Sequence, residues 1–228
     1  MTMTQLEELW KELKFVSDCP KVTEEVSGKL LKILEDESKI RASKRIQRLV
    51  QYSGIKIIKM IEDFDWVFNP TISKEKIMQF RNSDWDTYPR NLVLIGPTGV
   101  GKTHLADGLC LDAINRGARV FRISCDELVR KLKNSRNKHA FIKFCSTVRV
   151  FCLDELGYVF PSPEEANDIF QIISKRCEVL PTLVTTNLVP SQWGKIFEAS
   201  TASAILDRLS LKGTFLTLEG KSYRSRVK

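Results

Sequence analysis

The chain has 228 residues with 36 Lys and Arg against 28 Asp and Glu, giving a net charge of +8 in a length that accommodates one sizeable α/β core plus an accessory piece. Residues 1–66 carry 12 basic and 12 acidic side chains, so the whole +8 (24 minus 16) falls in 67–228, and nucleic acid is the commonest acidic partner of such a core. Six cysteines without C-x-x-C spacing, two isolated histidines and no apolar run of ~18 residues argue against a disulfide frame, a zinc site, a signal segment and a membrane span, so a cytoplasmic chain with reduced thiols is expected.

Thr4 to Glu7 fits a capping box, and Leu6, Leu9, Trp10 and Leu13 recur at helical spacing. Pro20 ends that short helix, and a second one is expected from about Thr23 to Tyr52, with Gly54 as its stop. Residues 38–61 hold seven basic side chains (Lys39, Arg41, Lys44, Arg45, Arg48, Lys56 and Lys59) and no acidic one. A solvated helix face and a contact with DNA or a partner explain this stretch equally well. Ile61 to Pro70 is too aromatic for an idle linker and is expected to pack on the following domain, ahead of a helix from Lys74 to about Phe80.

Asn91 to Ile95 is an apolar strand, followed by Gly96, Pro97, Thr98, Gly99, Val100, Gly101, Lys102, Thr103 and His104. Every constrained position of G-x-x-x-x-G-K-[ST] is filled between a strand and a helix start, the context of a nucleotide phosphate cradle. The glycines let successive N–H groups point at phosphate oxygens, and the anion sits on the positive end of the helix. Lys102 is expected to reach the β- and γ-phosphates of ATP, and the Thr103 hydroxyl to coordinate Mg²⁺.

A helix from Lys102 to about Asn115, a strand over Arg119–Ser124 and a helix capped by Asp126 follow. From Leu128 to Leu153 there is again no acidic residue but seven basic ones (Arg130, Lys131, Lys133, Arg136, Lys138, Lys143 and Arg149), a pattern that favours a phosphate-tracking face over ordinary surface. The strand Val148–Glu155 is largely apolar until it delivers Asp154 and Glu155 at its C-terminal end. That end of a parallel sheet faces the ligand crevice, which suits Asp154 to hold Mg²⁺ and Glu155 to orient or deprotonate the attacking water. Ser162 opens another helix to about Cys177, and Leu180–Asn187 is a fourth strand. Asn187 is expected between the phosphate loop and the acid pair, where its amide would position water or the γ-phosphate, although a turn-forming Asn before Pro190 is the plainer alternative.

With these segments in order, the sequence resembles the IstB-like ATPases, AAA+ helper proteins encoded beside a transposase in bacterial insertion sequences, and the related DnaC-type helicase loaders. The likeness runs from about Glu37 to Arg226. It rests on Phe64-Asp65-Trp66 with Phe68 and Pro70, the phosphate loop with His104-Leu105-Ala106, Leu153 to Tyr158, Thr185-Thr186-Asn187, Trp193-Gly194 with Phe197, Ala204 to Leu209, and Gly220 to Arg224. The resemblance implies an AAA+ core over 61–228, a parallel sheet flanked by helices, behind a helical region over 1–60 that contacts DNA or a partner. It further implies that Arg208 reaches into a neighbouring subunit's ATP, that Arg224 senses the γ-phosphate in its own subunit, and that the chain forms a ring or spiral of copies. The implied function is an ATP-dependent, DNA-binding transposition helper that assembles on target DNA and recruits or stimulates its transposase; the alternative is a loader of a replicative helicase. Where the family often has histidine after Asp-Arg-Leu, this chain has Ser210-Leu211-Lys212, and Cys177 follows Arg176 where an aromatic is common. Neither departure touches nucleotide chemistry. A small-molecule P-loop kinase would explain the cradle but not the acid pair, the late arginines or the two acid-free stretches.

Overall fold

The computed structural model describes residues 2–86, 88 and 90–225. Arg226, the last residue of the resembling stretch, lies outside them. Two compact units are formed, one reaching to Arg48 and the other starting at Leu49. The division therefore falls within the long second helix, earlier than the expected boundary at 60. Residues just past that helix are fastened to the larger unit by backbone contacts, Arg122 N–H donating to Ser53 O at 2.6 Å.

In the small unit, α1 (Thr2–Glu12) and α2 (Glu24–Tyr52, up to Arg48) bury Leu6, Leu13 and Leu34 together, with Leu9, Trp10, Leu30 and Leu31 around them. The helix starts at Thr2, so Thr4 lies inside it and does not cap it; Met3 packs on the same cluster and draws the start upstream.

The large unit is a five-stranded, wholly parallel sheet in the order β2-β3-β4-β1-β5: β1 (Asn91–Ile95), β2 (Val120–Ser124), β3 (Val150–Leu156), β4 (Thr182–Thr186) and β5 (Gly213–Thr217). Strands β1 and β4 are buried along their whole length, as apolar strands covered on both faces must be. The helices of this unit are α3 (Lys74–Arg81), which is tied to α4 through Arg81 and Asp112, α4 (Lys102–Asn115), α5 (Cys125–Asn134), α6 (Lys138–Thr147), α7 (Pro163–Arg176) and α8 (Ala199–Ser210). One continuous core runs through Val93, Phe151, Leu153, Ile169, Val184, Trp193 and Ile205, each such side chain contributing about 1.5–3 kcal/mol by leaving water.

Helix starts follow local chemistry. Ser162 accepts from Glu165 N–H while Glu165 answers to Ser162 N–H, with Pro163 at the first helical position. At α5 the cap is Ser124, whose hydroxyl accepts from Glu127 N–H at 3.3 Å, and not Asp126. Strand β2 keeps Ser124 extended, so Cys125 is already helical and Asp126 sits in the first turn, on the positive end of the helix.

No helix among the described residues is long and apolar enough to cross a membrane. All six cysteines are free; Cys110, Cys125, Cys145 and Cys152 are buried, whereas Cys19 and Cys177 are partly exposed.

Candidate functional site

Because β4 lies between β3 and β1, the C-terminal ends of these three strands open into one cleft, the position where parallel sheets bind ligands. Strand β1 leads into the phosphate loop and α4. Gly99 and Gly101 hold φ of 85° and 104°, values open to glycine, and a side chain at Gly101 would run into the Phe64 ring. The loop wraps the amino end of α4, whose first residue is Lys102.

Lys102 is buried and its ammonium donates to the carbonyls of Gly96 and Pro97 at 2.8 and 2.9 Å. Burial lowers its pKa, with Asp154 and Glu155 pulling the other way and Arg224 adding to the fall. A cation satisfied only by neutral carbonyls has more to gain from phosphate oxygens than one already in an ion pair.

Asp154 is 1% exposed. It accepts from the Thr103 hydroxyl at 3.0 Å, from the Thr185 hydroxyl and from the Arg122 guanidinium. Thr103 therefore spends its hydrogen on Asp154, which leaves its oxygen lone pairs free for a cation. This donor set fits Mg²⁺, which takes oxygen ligands and keeps several waters.

Glu155 is the next residue and differs in every respect. The β3–β4 register slips between Leu153 and Leu156, and Glu155 takes a left-handed backbone with φ of 59°. Its N–H is tied to the Thr185 hydroxyl at 2.9 Å, and its carboxylate stands exposed in the cleft. A non-glycine residue held in that conformation marks a position where geometry is preferred over local comfort.

The rest of the lining comes from the segment before the core and from the end of the described chain. Phe64, which is buried, meets Trp66 at 4.6 Å and His104 at 5.3 Å between ring centres. Phe68 meets Tyr223 edge-on at 5.0 Å. His104 also bonds the Met60 carbonyl through Nε2 at 2.7 Å, so within the cleft it braces the 60–64 segment. Tyr223 N–H donates to Gly99 O at 2.9 Å and carries Arg224 into the lining. Tyr158 bonds Thr98 hydroxyl to hydroxyl at 2.5 Å, joining the loop after β3 to the phosphate loop.

The cleft thus gathers Thr98, Gly99, Val100, Gly101, Lys102, Thr103, His104, Glu155 and Arg224, with Asp154 behind Thr103. Four expected residues are absent from this lining: Gly96 and Pro97, whose carbonyls instead hold the Lys102 ammonium, Asn187 and Arg208. Asn187 is exposed one residue beyond β4 and its side-chain oxygen lies against Gly157, while Thr185 is the group β4 presents to the acid pair. Strand alternation explains this: Thr185 shares a face with Leu183 and Asn187, but the strand ends at Thr186 and the chain turns away before Asn187. Arg208, on α8, is held by Ser174 Oγ at 3.1 Å, by Ala204 O at 3.1 Å and over the Phe170 ring at 4.9 Å, away from the cleft of its own chain.

Sequence reasoning missed Arg122 and Asp107, which have no motif, and assigned Lys59 to a basic surface although it lines the cleft. The alternation of β2 alone could have placed Arg122 on one face with Val120 and Ser124, but not opposite Asp154.

The basic stretch on α5, α6 and the start of β3 is also resolved. Lys131 pairs with Glu127 at 3.1 Å, Arg130 with Asp126 at 3.9 Å, and Lys138 with Glu164 and Asp168 at 2.5 and 3.0 Å. Those carboxylates come from outside the acid-free run. Lys133, Arg136 and Lys143 are exposed and make no ion pair among the described residues.

The family model described as IstB-like ATP binding protein matches residues 3–228. The chain is 32% identical to the insertion sequence IS232 putative ATP-binding protein of Bacillus thuringiensis subsp. berliner over 86% of its own length and 80% of that protein's. It is also 32% identical to the insertion sequence IS5376 putative ATP-binding protein of Geobacillus stearothermophilus, over 87% and 81%. Among solved structures, that of DnaI superposes with a TM-score of 0.61 at 22% identity, covering 72% of this chain and 89% of the other, a likeness of fold. With its phosphate loop, parallel five-stranded sheet and near end-to-end match, the chain belongs to the IstB-like ATP-binding family and is an AAA+ ATPase.

Proposed function

We propose that this protein is the ATP-dependent, DNA-binding helper of an insertion sequence, assembling on target DNA to recruit or stimulate its transposase. The observation that carries the reading is the pairing of a complete phosphate cleft with an exposed cationic surface, in a chain whose relatives are named as ATP-binding proteins of insertion sequences.

In the proposed reaction, the N–H groups of the phosphate loop and the amino end of α4 hold the β- and γ-phosphates, and Lys102 leaves its two carbonyls to join them. Thr103 and Asp154 would hold Mg²⁺, which supplies charge neutralisation on the phosphate oxygens when bound. Glu155 orients the attacking water and takes its proton; its exposed carboxylate at the bulge is free for that task. The Phe64, Phe68 and Tyr223 rings offer apolar faces for the base. Arg224 reaches the γ-phosphate from the same chain. Arg208, which its own cleft does not use, acts on a neighbour's ATP in a ring or spiral of copies, and Asn187 contributes from the rim once ATP orders the turn.

DNA contacts are assigned to Lys133, Arg136 and Lys143, whose charges make no ion pair among the described residues. Such contacts go to phosphates and are nearly independent of sequence. The test is salt-titrated fluorescence anisotropy on a random-sequence duplex. Each lost phosphate contact lowers the log–log salt slope by about 0.9, so Lys133→Ala/Arg136→Ala/Lys143→Ala should lower it by roughly two to three. An unchanged slope would make this a solvated face. Association of the same protein with a helicase instead of the transposase, in a pull-down with each, would select the helicase loader.

A further inference from the structure

Strand alternation and helix periodicity bring a buried charged triad together beneath the cleft. Cα pairing sets Arg122 of β2 opposite Cys152 of β3, and Asp154 is two residues further on, on the same face of the sheet. Helix α4 supplies Thr103 and, one turn later on the same side, Asp107. Arg122 spans the two acids: its Nη2 bonds Asp154, and its Nε stands 3.3 Å from Asp107 Oδ1. All three side chains are withdrawn from water, at 16%, 2% and 9% exposure.

Arg122 is absent from the cleft lining. Its planar guanidinium sets one N–H on Asp154 and another towards Asp107, so the two acids are placed relative to each other as a point charge would not place them. Asp154 then has one oxygen held from below by Arg122, while Thr103 and Thr185 approach the other. The charges are also nearly balanced. Asp154 and Asp107 bring two negative charges, and Arg122 and the nearby Lys102 two positive ones, so the empty site offers a free divalent cation little attraction.

Resting on the ATPase reading above, we propose that Arg122, braced by Asp107, is a positioning residue for the Mg²⁺ site: it sets the Asp154 carboxylate for Thr103 and makes the cation bind together with ATP. Arg122 acts through Asp154 and contacts no substrate itself. Residues that orient a metal ligand in this way typically carry a 10–100-fold effect on metal affinity or turnover.

The experiment measures binding of a fluorescent ATP analogue with excess chelator and with Mg²⁺, alongside turnover, for the wild type, Arg122→Gln, Arg122→Lys and Asp107→Asn. Thermal melting selects variants that remain folded. In chelator, Arg122→Gln should bind the analogue within about twofold of the wild type. With Mg²⁺ it should lose most of the metal-dependent gain, so that KM for ATP in Mg²⁺ rises by the factor lost while kcat falls about 10–100-fold. Arg122→Lys should recover part of the loss, since one ammonium can serve Asp154 without bridging to Asp107, and Asp107→Asn should give a milder form of the same defect. A folded Arg122→Gln that keeps its Mg²⁺-dependent gain and its kcat overturns the proposal. So does a uniform loss of binding in chelator and in Mg²⁺, which is the pattern of a merely structural residue. Absence of any Mg²⁺-dependent gain in the wild type would instead count against the ATPase site reading itself.

Discussion

Two sets of cations in this molecule behave as opposites. Under the cleft, Lys102 and Arg122, and on α7 Arg176, are largely or wholly out of water and each is bonded to the protein around it. On α5, α6 and the turn between them, Arg130, Lys133, Arg136 and Lys143 stand in solvent with one long ion pair, that of Arg130, among the described residues. The same residue types therefore do different work. A buried cation fixes the orientation of its partners, because the interior screens little and an unpaired charge there is costly. An exposed cation is worth little alone and matters as part of a field that attracts phosphates.

The sharpest break of the buried set is at the cleft. Lys102→Ala should reduce ATP affinity at least a hundredfold, because Lys102 meets phosphate in the bound state. Glu155→Gln should bind normally and lose turnover by about 10²–10⁴-fold, the usual worth of a positioned base. Nucleotide titration and phosphate release on both variants check this pair, and normal turnover in Glu155→Gln would remove Glu155 from the chemistry.

Next comes Arg176, which is fully buried on α7 and pairs with no carboxylate among the described residues. It donates to the carbonyls of Cys145, Val148 and Pro181 and to Thr182 Oγ1, and its guanidinium lies 5.6 Å from the Phe151 ring centre. It fastens the ends of α6 and α7 to the starts of β3 and β4. Arg176→Ala leaves several buried carbonyls unpaired and should cost about 3 kcal/mol or more, read by urea unfolding.

Asp107 gives a smaller effect with a defined pH window. Burial lifts its carboxyl from 3.8 to about 6 against the pull of Arg122. Between those values the folded chain keeps a proton that the unfolded chain releases, so Asp107 lowers stability as pH rises through that interval. The penalty is full above about 6 and gone below about 4. Asp107→Asn should flatten this part of the stability curve by roughly 1–3 kcal/mol relative to the wild type, measured by urea unfolding at pH 4, 5, 6 and 7.

The exposed set should yield the least. Arg130 and Asp126 are 3.9 Å apart with both side chains about two-thirds exposed. Arg130→Gln should change stability by less than about 0.5 kcal/mol, and a larger loss would show that the surface cations are structurally engaged after all.

Much of the chemistry was legible in the chain itself. The phosphate loop is contiguous, so its glycines, Lys102 and Thr103 carry their meaning wherever strand and helix flank them, and the apolar strand before Asp154 and Glu155 marks the acid pair in the same local way. Strand and helix extents followed from period and caps, with errors where a tertiary contact shifted an end, as Met3 does for α1 and the reach of β2 does for Ser124. What depends on pairing between distant strands was not legible. That Thr185 rather than Asn187 faces the cleft is decided by where β4 stops. That Arg122 meets Asp154 and Asp107 is decided by the register of β2 on β3 and the seat of α4. The split between adjacent Asp154 and Glu155, one buried and trebly bonded and the other exposed on a left-handed turn, follows from a slip in β3–β4 pairing. Sequence fixes residue type and local period, whereas register is set by which face the whole sheet can bury, and a single-residue slip sends neighbouring carboxylates to opposite fates.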